Sequence, residues 1–203
     1  CVIPARGGSK RLPRKNILDL CGKPLLWYTV RAALDSGVFA KVLVSTEDEE
    51  IAAVARDSGA EVRDRPRQFA TDTASSLSVL MDALEAELAL DRTYDLVCEL
   101  PPTAPLRTAD DIRKAHAMLA DSEASFLVGV VPAEPPPHIA LNLEGSRLSP
   151  LMHSEYFKLR RQDMPPSFYP NGSIYMARVE ALARGLDFYE AETLGLIMDP
   201  DRW

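Results

Sequence analysis

Cysteine is scarce in this 203-residue chain. Cys1, Cys21 and Cys98 make an odd number with no C-x-x-C spacing. That excludes a disulfide frame and a cysteine-based structural zinc, and a reducing compartment, the cytoplasm, is expected. Long apolar runs are missing too: the best, 126–131, falls far short of the roughly 20 residues a membrane helix needs. There is no excess of positive charge. The 23 basic and 30 acidic side chains leave a formal charge of −7, so a duplex would meet net like charge and no nucleic-acid partner is expected. His116, His138 and His153 are scattered without ligand spacing, so no metal site is assigned to them. GxxxxGK[ST], GxGxxG and GxSxG are all absent. A Walker-type loop, NAD chemistry and a serine nucleophile elbow therefore have no support.

What is present is the mixture of an ordinary globular domain, 46 % hydrophobic and 26 % charged. β-Branched runs alternate with segments of helical period, the pattern of an α/β sheet. Strands are expected at 1–5, 41–45, 60–64, 94–100 and 124–131. Helices are expected from Pro24 to 36 with Gly37 as the stop, and from a capping box at Thr46-Glu47-Asp48-Glu49 to 58. Two more are expected at 75–90 and, capped by Thr108, at 109–121. The last third breaks the alternation with Pro132, Pro135, Pro136 and Pro137. A hairpin is expected at Glu144-Gly145, between 139–143 and 147–148, and further strands at 173–176 and 194–198. Residues 151–166 are polar, aromatic and poorly periodic, which marks an excursion within 150–170. One domain over 1–203 is the simplest account. The chain starts at Cys1 and stops at Trp203, and native residues are expected beyond both ends. Trp27 and Trp203 are read as packing residues.

Four stretches carry the chemistry. The first is Arg6-Gly7-Gly8-Ser9-Lys10-Arg11-Leu12-Pro13-Arg14-Lys15-Asn16, with five cations and no acid after the first strand. Paired glycines can turn backbone N–H groups toward an anion while the cations offset phosphate charge. Open α/β sheets bind ligands outside the carboxyl ends of their strands. The second is Arg65-Pro66 with Thr71-Asp72-Thr73-Ala74-Ser75-Ser76 before a helix, suited to base or phosphate contacts or to simple capping. The third is the stiff loop Pro101-Pro102-Thr103-Ala104-Pro105-Leu106-Arg107. The fourth is Pro170-Asn171-Gly172-Ser173-Ile174-Tyr175, whose Asn-Gly by itself reads as a turn.

As an ordered set these four stretches resemble the acylneuraminate cytidylyltransferases, the CMP-sialic acid synthetases and their legionaminic, pseudaminic and KDN relatives. The resemblance implies a nucleotidyltransferase-type, Rossmann-like α/β fold of three layers with a mainly parallel sheet. It also implies a homodimer, Mg²⁺, and transfer of a cytidylyl group from CTP to a nonulosonic acid. By resemblance, Arg6, Ser9 and Lys10 hold the triphosphate and Lys15 meets the developing charge, which makes Arg6, Lys10 and Lys15 the catalytic set. Asn16, Arg65 and Ser76 help hold the nucleotide. Arg161 reaches the sugar carboxylate, across a dimer or within its own chain, and Tyr175, Phe188 and Tyr189 line the sugar pocket.

The chain departs from the family at three places. Pro101 stands where Gln is usual, and Ile139 where some members carry Lys. The D-x-D carboxylates that bind Mg²⁺ belong to a segment beyond Trp203, and Asp199-Pro200-Asp201 is no substitute, so no metal ligand is assigned. The Asn-Gly-Ser-Ile-Tyr stretch points to the sialic and legionaminic branch before the pseudaminic one. Two other readings stand beside this one: a CTP-binding regulatory module without catalysis, and a 3-deoxy-octulosonate cytidylyltransferase.

Overall fold

In the computed structural model, which describes residues 1–10, 12–71, 73–189 and 192–202, the β-branched runs form strands of one sheet. Arg11, Asp72 and Trp203, singled out above, lie outside the described residues. The strands are β1 (Val2–Pro4), a small ribbon of β2 (Asp19–Leu20) and β3 (Lys23–Pro24), then β4 (Leu43–Thr46), β5 (Glu61–Asp64) and β6 (Leu96–Glu99). β7 (Phe126–Pro132), a hairpin of β8 (Leu141–Glu144) and β9 (Arg147–Pro150), β10 (Phe168–Arg178) and β11 (Thr193–Ile197) follow. The central sheet runs β11-β7-β10-β6-β1-β4-β5. Every strand in it is parallel to its fellows except β10, which pairs antiparallel with both β6 and β7.

Successive residues of a strand point to opposite faces, and both faces here are covered. Ile3, Cys98 and Leu127 pack on one side with Leu26, Val30, Ile51, Ile112 and Leu119. Those come from α1 (Leu25–Ser36), α2 (Glu49–Asp57) and α4 (Ala109–Ala120). Val2, Val97 and Val128 pack on the other with Leu80 and Leu84 of α3 (Ser76–Leu88) and Ala181 and Leu182 of α5 (Val179–Ala183). The result is helix–sheet–helix.

The helix signals mostly act as read. Gly37 stops α1 in the left-handed region at φ 69°, and Thr108 and Asp111 form a reciprocal capping box on α4. Pro24 lies just before α1 and not in its first turn. The cap of α2 is also displaced. Thr46 stays in β4, and Asp48 is the cap, its Oδ1 accepting from the Glu50 and Ile51 N–H groups at 3.0 and 3.1 Å. Two further differences lie at the sheet's far end. α5 is five residues long, too short for a periodic signal. Asn171-Gly172 is no hairpin turn but part of the 11-residue β10, at a shift in its register with β7 between Pro170 and Tyr175. Gly129 makes that shift fit, since a Cβ there would stand 2.8 Å from the Asn171 Oδ1. None of the described helices is long and apolar enough to cross a membrane.

Candidate active site

The ligand edge of the sheet is built by the loops after β1, β4, β5 and β6, together with the start of the antiparallel β10. After β1 the chain stays pinned: the Ala5 N–H donates to the Ser45 carbonyl at 3.0 Å. Gly7 is favoured at the next step, because a Cβ there would lie 2.5 Å from Asp48 Oδ2 and force that side chain to shift. Its N–H donates to Glu47 Oε1 at 2.8 Å, and the Ser9 N–H donates back to the Gly7 carbonyl at 3.0 Å. The Gly7 N–H, one of the glycine pair expected to face an anion, is therefore spent inside the loop, as is that of Ser9. Asn16 is buried and donates from Nδ2 to the Arg6 carbonyl at 2.9 Å, closing the loop on itself.

The five cations of this loop do not act alike. Arg14 reaches back to Asp48 and Glu50, and these contacts raise its pKa and lower that of Asp48. It staples the loop to the start of α2 and is not available to a phosphate. Lys15 instead lines a cleft, with no carboxylate paired to it among the described residues. Arg6, Ser9, Asn16, Arg65 and Ser76 share that open cleft, whose cavity volume is about 260 Å³. Lys10 is exposed in the same loop, outside the lining.

Arg65 is 4 % exposed. Its Nε donates to Ser45 Oγ at 3.1 Å and its Nη2 to the Ser45 carbonyl at 2.5 Å, which fixes the guanidinium on β4. Burial lowers its pKa. Facing it is a residue the sequence reading passed over. Glu99, the last residue of β6, is 3 % exposed, and burial pushes its carboxyl up to about 7 although Ser76 and Arg65 pull it down. Arg107, which closes the third stretch, had been given no individual role. It is 3 % exposed and donates from Nη1 to the Ser173 carbonyl at 2.6 Å and the Pro101 carbonyl at 3.3 Å, tying the proline loop to β10. A buried arginine with a structural task explains the last letter of that motif.

A second pocket abuts the first and shares Ser76, Glu99, Pro101 and Thr103 with it. Tyr175, Phe188 and Tyr189 line it with Gly172 and Asp187. Phe188 is largely core, its ring 5.0 Å from Phe126 and 5.5 Å from Tyr175, whereas Tyr189 is open to solvent. Arg161 is not brought to either pocket within one chain. It is exposed, pairs with Glu134 and borders a separate depression with Ile139, Phe157 and Leu159. No cluster of three or more His, Cys, Asp or Glu suited to a metal occurs among the described residues. Asp199 accepts from the Asp201 N–H at 3.0 Å and pairs with Arg202, so this pair closes its own turn. The donor set described does not fit a Mg²⁺ ion. His138, which is buried, and His153 flank the same Tyr156 ring at 4.7 and 6.2 Å, and His116 is half-buried on α4.

A sequence profile described as "Cytidylyltransferase" matches residues 1–180. The chain is 38 % identical to the pseudaminic acid cytidylyltransferase of Campylobacter jejuni, over 89 % of this chain and 78 % of that protein. It is 34 % identical to the CMP-N,N'-diacetyllegionaminic acid synthase of Legionella pneumophila, over 98 % of this chain and 85 % of that one. It is also 34 % identical to the N-acylneuraminate cytidylyltransferase of Escherichia coli O18:K1:H7, over 98 % of this chain and 47 % of that one. Among solved structures, CMP:2-keto-3-deoxy-manno-octonic acid synthetase complexed with CTP superposes with a TM-score of 0.68. At 18 % identity over 97 % of this chain and 89 % of that one, the likeness is one of fold: a nucleotidyltransferase-type α/β sheet.

Proposed function

The chain belongs to the cytidylyltransferase family, and from that premise we propose that it joins the cytidylyl group of CTP to a nonulosonic acid. The acid's anomeric hydroxyl oxygen attacks the α-phosphorus and gives up its proton to solvent, the bond to the bridging oxygen of the β-phosphate breaks, and pyrophosphate leaves with that electron pair. The observation that carries the reading is the shared wall: a cleft lined by cations meets an aromatic pocket at Ser76, Glu99, Pro101 and Thr103. Two ligands seated on either side of such a wall present their reacting atoms to each other.

Displacement at phosphorus needs positioning and charge neutralisation and no covalent nucleophile. Arg6, Ser9 and Lys10 take the triphosphate, and Lys15 stabilises charge that develops on the transferred group and on pyrophosphate. Arg65, Asn16 and Ser76 hold the nucleoside end, and Tyr175, Phe188 and Tyr189 take the acid. Mg²⁺ enters the proposal through the family resemblance, and no step is assigned to it. The cytoplasm as compartment rests on the same reading and agrees with three unpaired thiols.

The proposal includes a homodimer built through the excursion. Leu143, Leu148, Leu151 and Phe157 are 67, 64, 56 and 44 % exposed, an apolar face that a second copy would cover. Arg161 stands on the same excursion, and in such a dimer its guanidinium would grip the carboxylate of the acid bound to the other subunit.

The test is pyrophosphate release with CTP and Mg²⁺ over N-acetylneuraminic, KDN, legionaminic, pseudaminic and 3-deoxy-octulosonic acids. Release with one nine-carbon acid and none without it bears the proposal out. Binding of CTP with no release for any acid would reduce the chain to a nucleotide-binding module, and release with the eight-carbon acid alone would move it to that branch.

A further inference from the structure

A carboxyl group with 3 % exposure needs a reason to be where it is. Glu99 Oε1 is buried and has no hydrogen-bond partner, while the residue stands on the wall common to both pockets. A buried acceptor without a partner is costly to the free protein, and such groups persist where a ligand completes them. Neighbours on the sheet say which ligand. Tyr175 is directly opposite Glu99 in the antiparallel β6–β10 pair, so both side chains project to the same face. Tyr175 belongs to the aromatic pocket and not to the cationic cleft. Two residues on, Pro101 continues that wall but has no N–H and no polar side chain to offer. Ser76 and Thr103 are the other polar side chains of this wall, and neither carries an orphaned buried acceptor as Glu99 does.

We propose that Glu99 is a specificity residue whose carboxyl pairs with one hydrogen-bond donor of the sugar acid, a ring or side-chain hydroxyl or an acylamino N–H. The inference rests on the reaction proposed above. Arg65 faces the carboxyl from the nucleotide side, Ser76 from α3 and Tyr175 from β10. Its neighbours therefore hold it in place and leave Oε1 for the substrate.

The experiment compares kcat/KM for the accepted acid with that for analogues lacking single hydroxyl or acylamino groups, in wild type, Glu99→Ala and Glu99→Gln. A site built to hydrogen-bond a substrate group rejects the analogue without it strongly. For one analogue, discrimination is expected to fall by about 10-fold or more in Glu99→Ala and by less in Glu99→Gln, with the KM for CTP unchanged within about 2-fold. Unchanged discrimination against every analogue in an active variant overturns the inference. So does a rise in the KM for CTP alone, which would hand the carboxyl to the cytosine. A wild type that releases no pyrophosphate with any acid overturns the reaction instead. If Glu99→Ala fails to fold, Glu99→Gln is read by the same criterion.

Discussion

Replacing Glu99 by Gln keeps the shape of the side chain and removes its titration. Burial holds the carboxyl at about 7 in the folded protein, against an ordinary 4.5. For an acid raised on folding, the native state keeps a proton that the unfolded chain has released. Stability therefore falls as pH climbs from the unfolded pKa through the folded one. The shift of roughly 2.5 units corresponds to about 3 kcal/mol in all, of which about 2 kcal/mol lies between pH 5.5 and pH 8. Gln has no such dependence. Urea unfolding of both proteins at pH 5.5, 6.5, 7.5 and 8 isolates this group, because every other titration appears in both and cancels. The stability of Glu99→Gln relative to wild type should rise by about 2 kcal/mol across that range and level off above pH 8. A flat difference would mean that Glu99 ionises normally, solvated or neutralised by Arg65, and the orphaned carboxyl would lose its meaning.

Lys15→Ala should lower kcat by about 100-fold with the KM for CTP little changed, because a charge aimed at the transition state is worth more there than in the ground state. Loss through KM alone, in steady-state kinetics, would refute that role. Gly7→Ala places a methyl 2.5 Å from Asp48 Oδ2, which is held by the α2 cap and by Arg14 and cannot simply swing away. It should cost about 1–3 kcal/mol in thermal or urea unfolding, and a neutral result would show that the staple yields. Arg161→Ala should raise the KM for the acid by about 10-fold and leave CTP binding, measured by calorimetry, intact. An unchanged KM for the acid would remove Arg161 from the site.

The sheet was legible where period and punctuation agree. The continuous apolar runs at 41–45 and 94–100 become buried strands, Val42, Val44 and Cys98 packing in one core and Val97 in the other, and Gly37 and Thr108 end and begin helices for local reasons. What escaped depended on partners distant in sequence. Arg14 looks like any cation of its loop until Asp48, 34 residues away, turns out to hold it. Asn171-Gly172 reads as a turn because its neighbours in β7, which keep it in the sheet, are some 40 positions earlier. Glu99 did leave a signal. A glutamate inside Leu96-Val97-Cys98-Glu99-Leu100, near the carboxyl end of a central strand, breaks an otherwise apolar run at the ligand edge. Such a break asks for a buried carboxyl with a task.

The loop after β1, where the proposed reaction puts the triphosphate, sits beside acidic residues of a negatively charged protein. Glu47 and Asp48 bring two carboxylates to the glycines, which taken alone would repel an anion. Asp48 is neutralised by Arg14, and Glu47 takes the Gly7 N–H, so both acids work as braces for the loop's shape. With the Gly7 and Ser9 N–H groups committed internally, phosphate recognition in the proposed reaction would rest chiefly on the side chains of Arg6, Ser9 and Lys10. Side-chain cations near the surface are screened by salt far more than a buried nest of backbone donors would be. CTP binding by this chain should accordingly weaken steeply with ionic strength, and the loss should be shallower in Lys10→Ala. Salt-independent binding would place the phosphates on backbone donors after all.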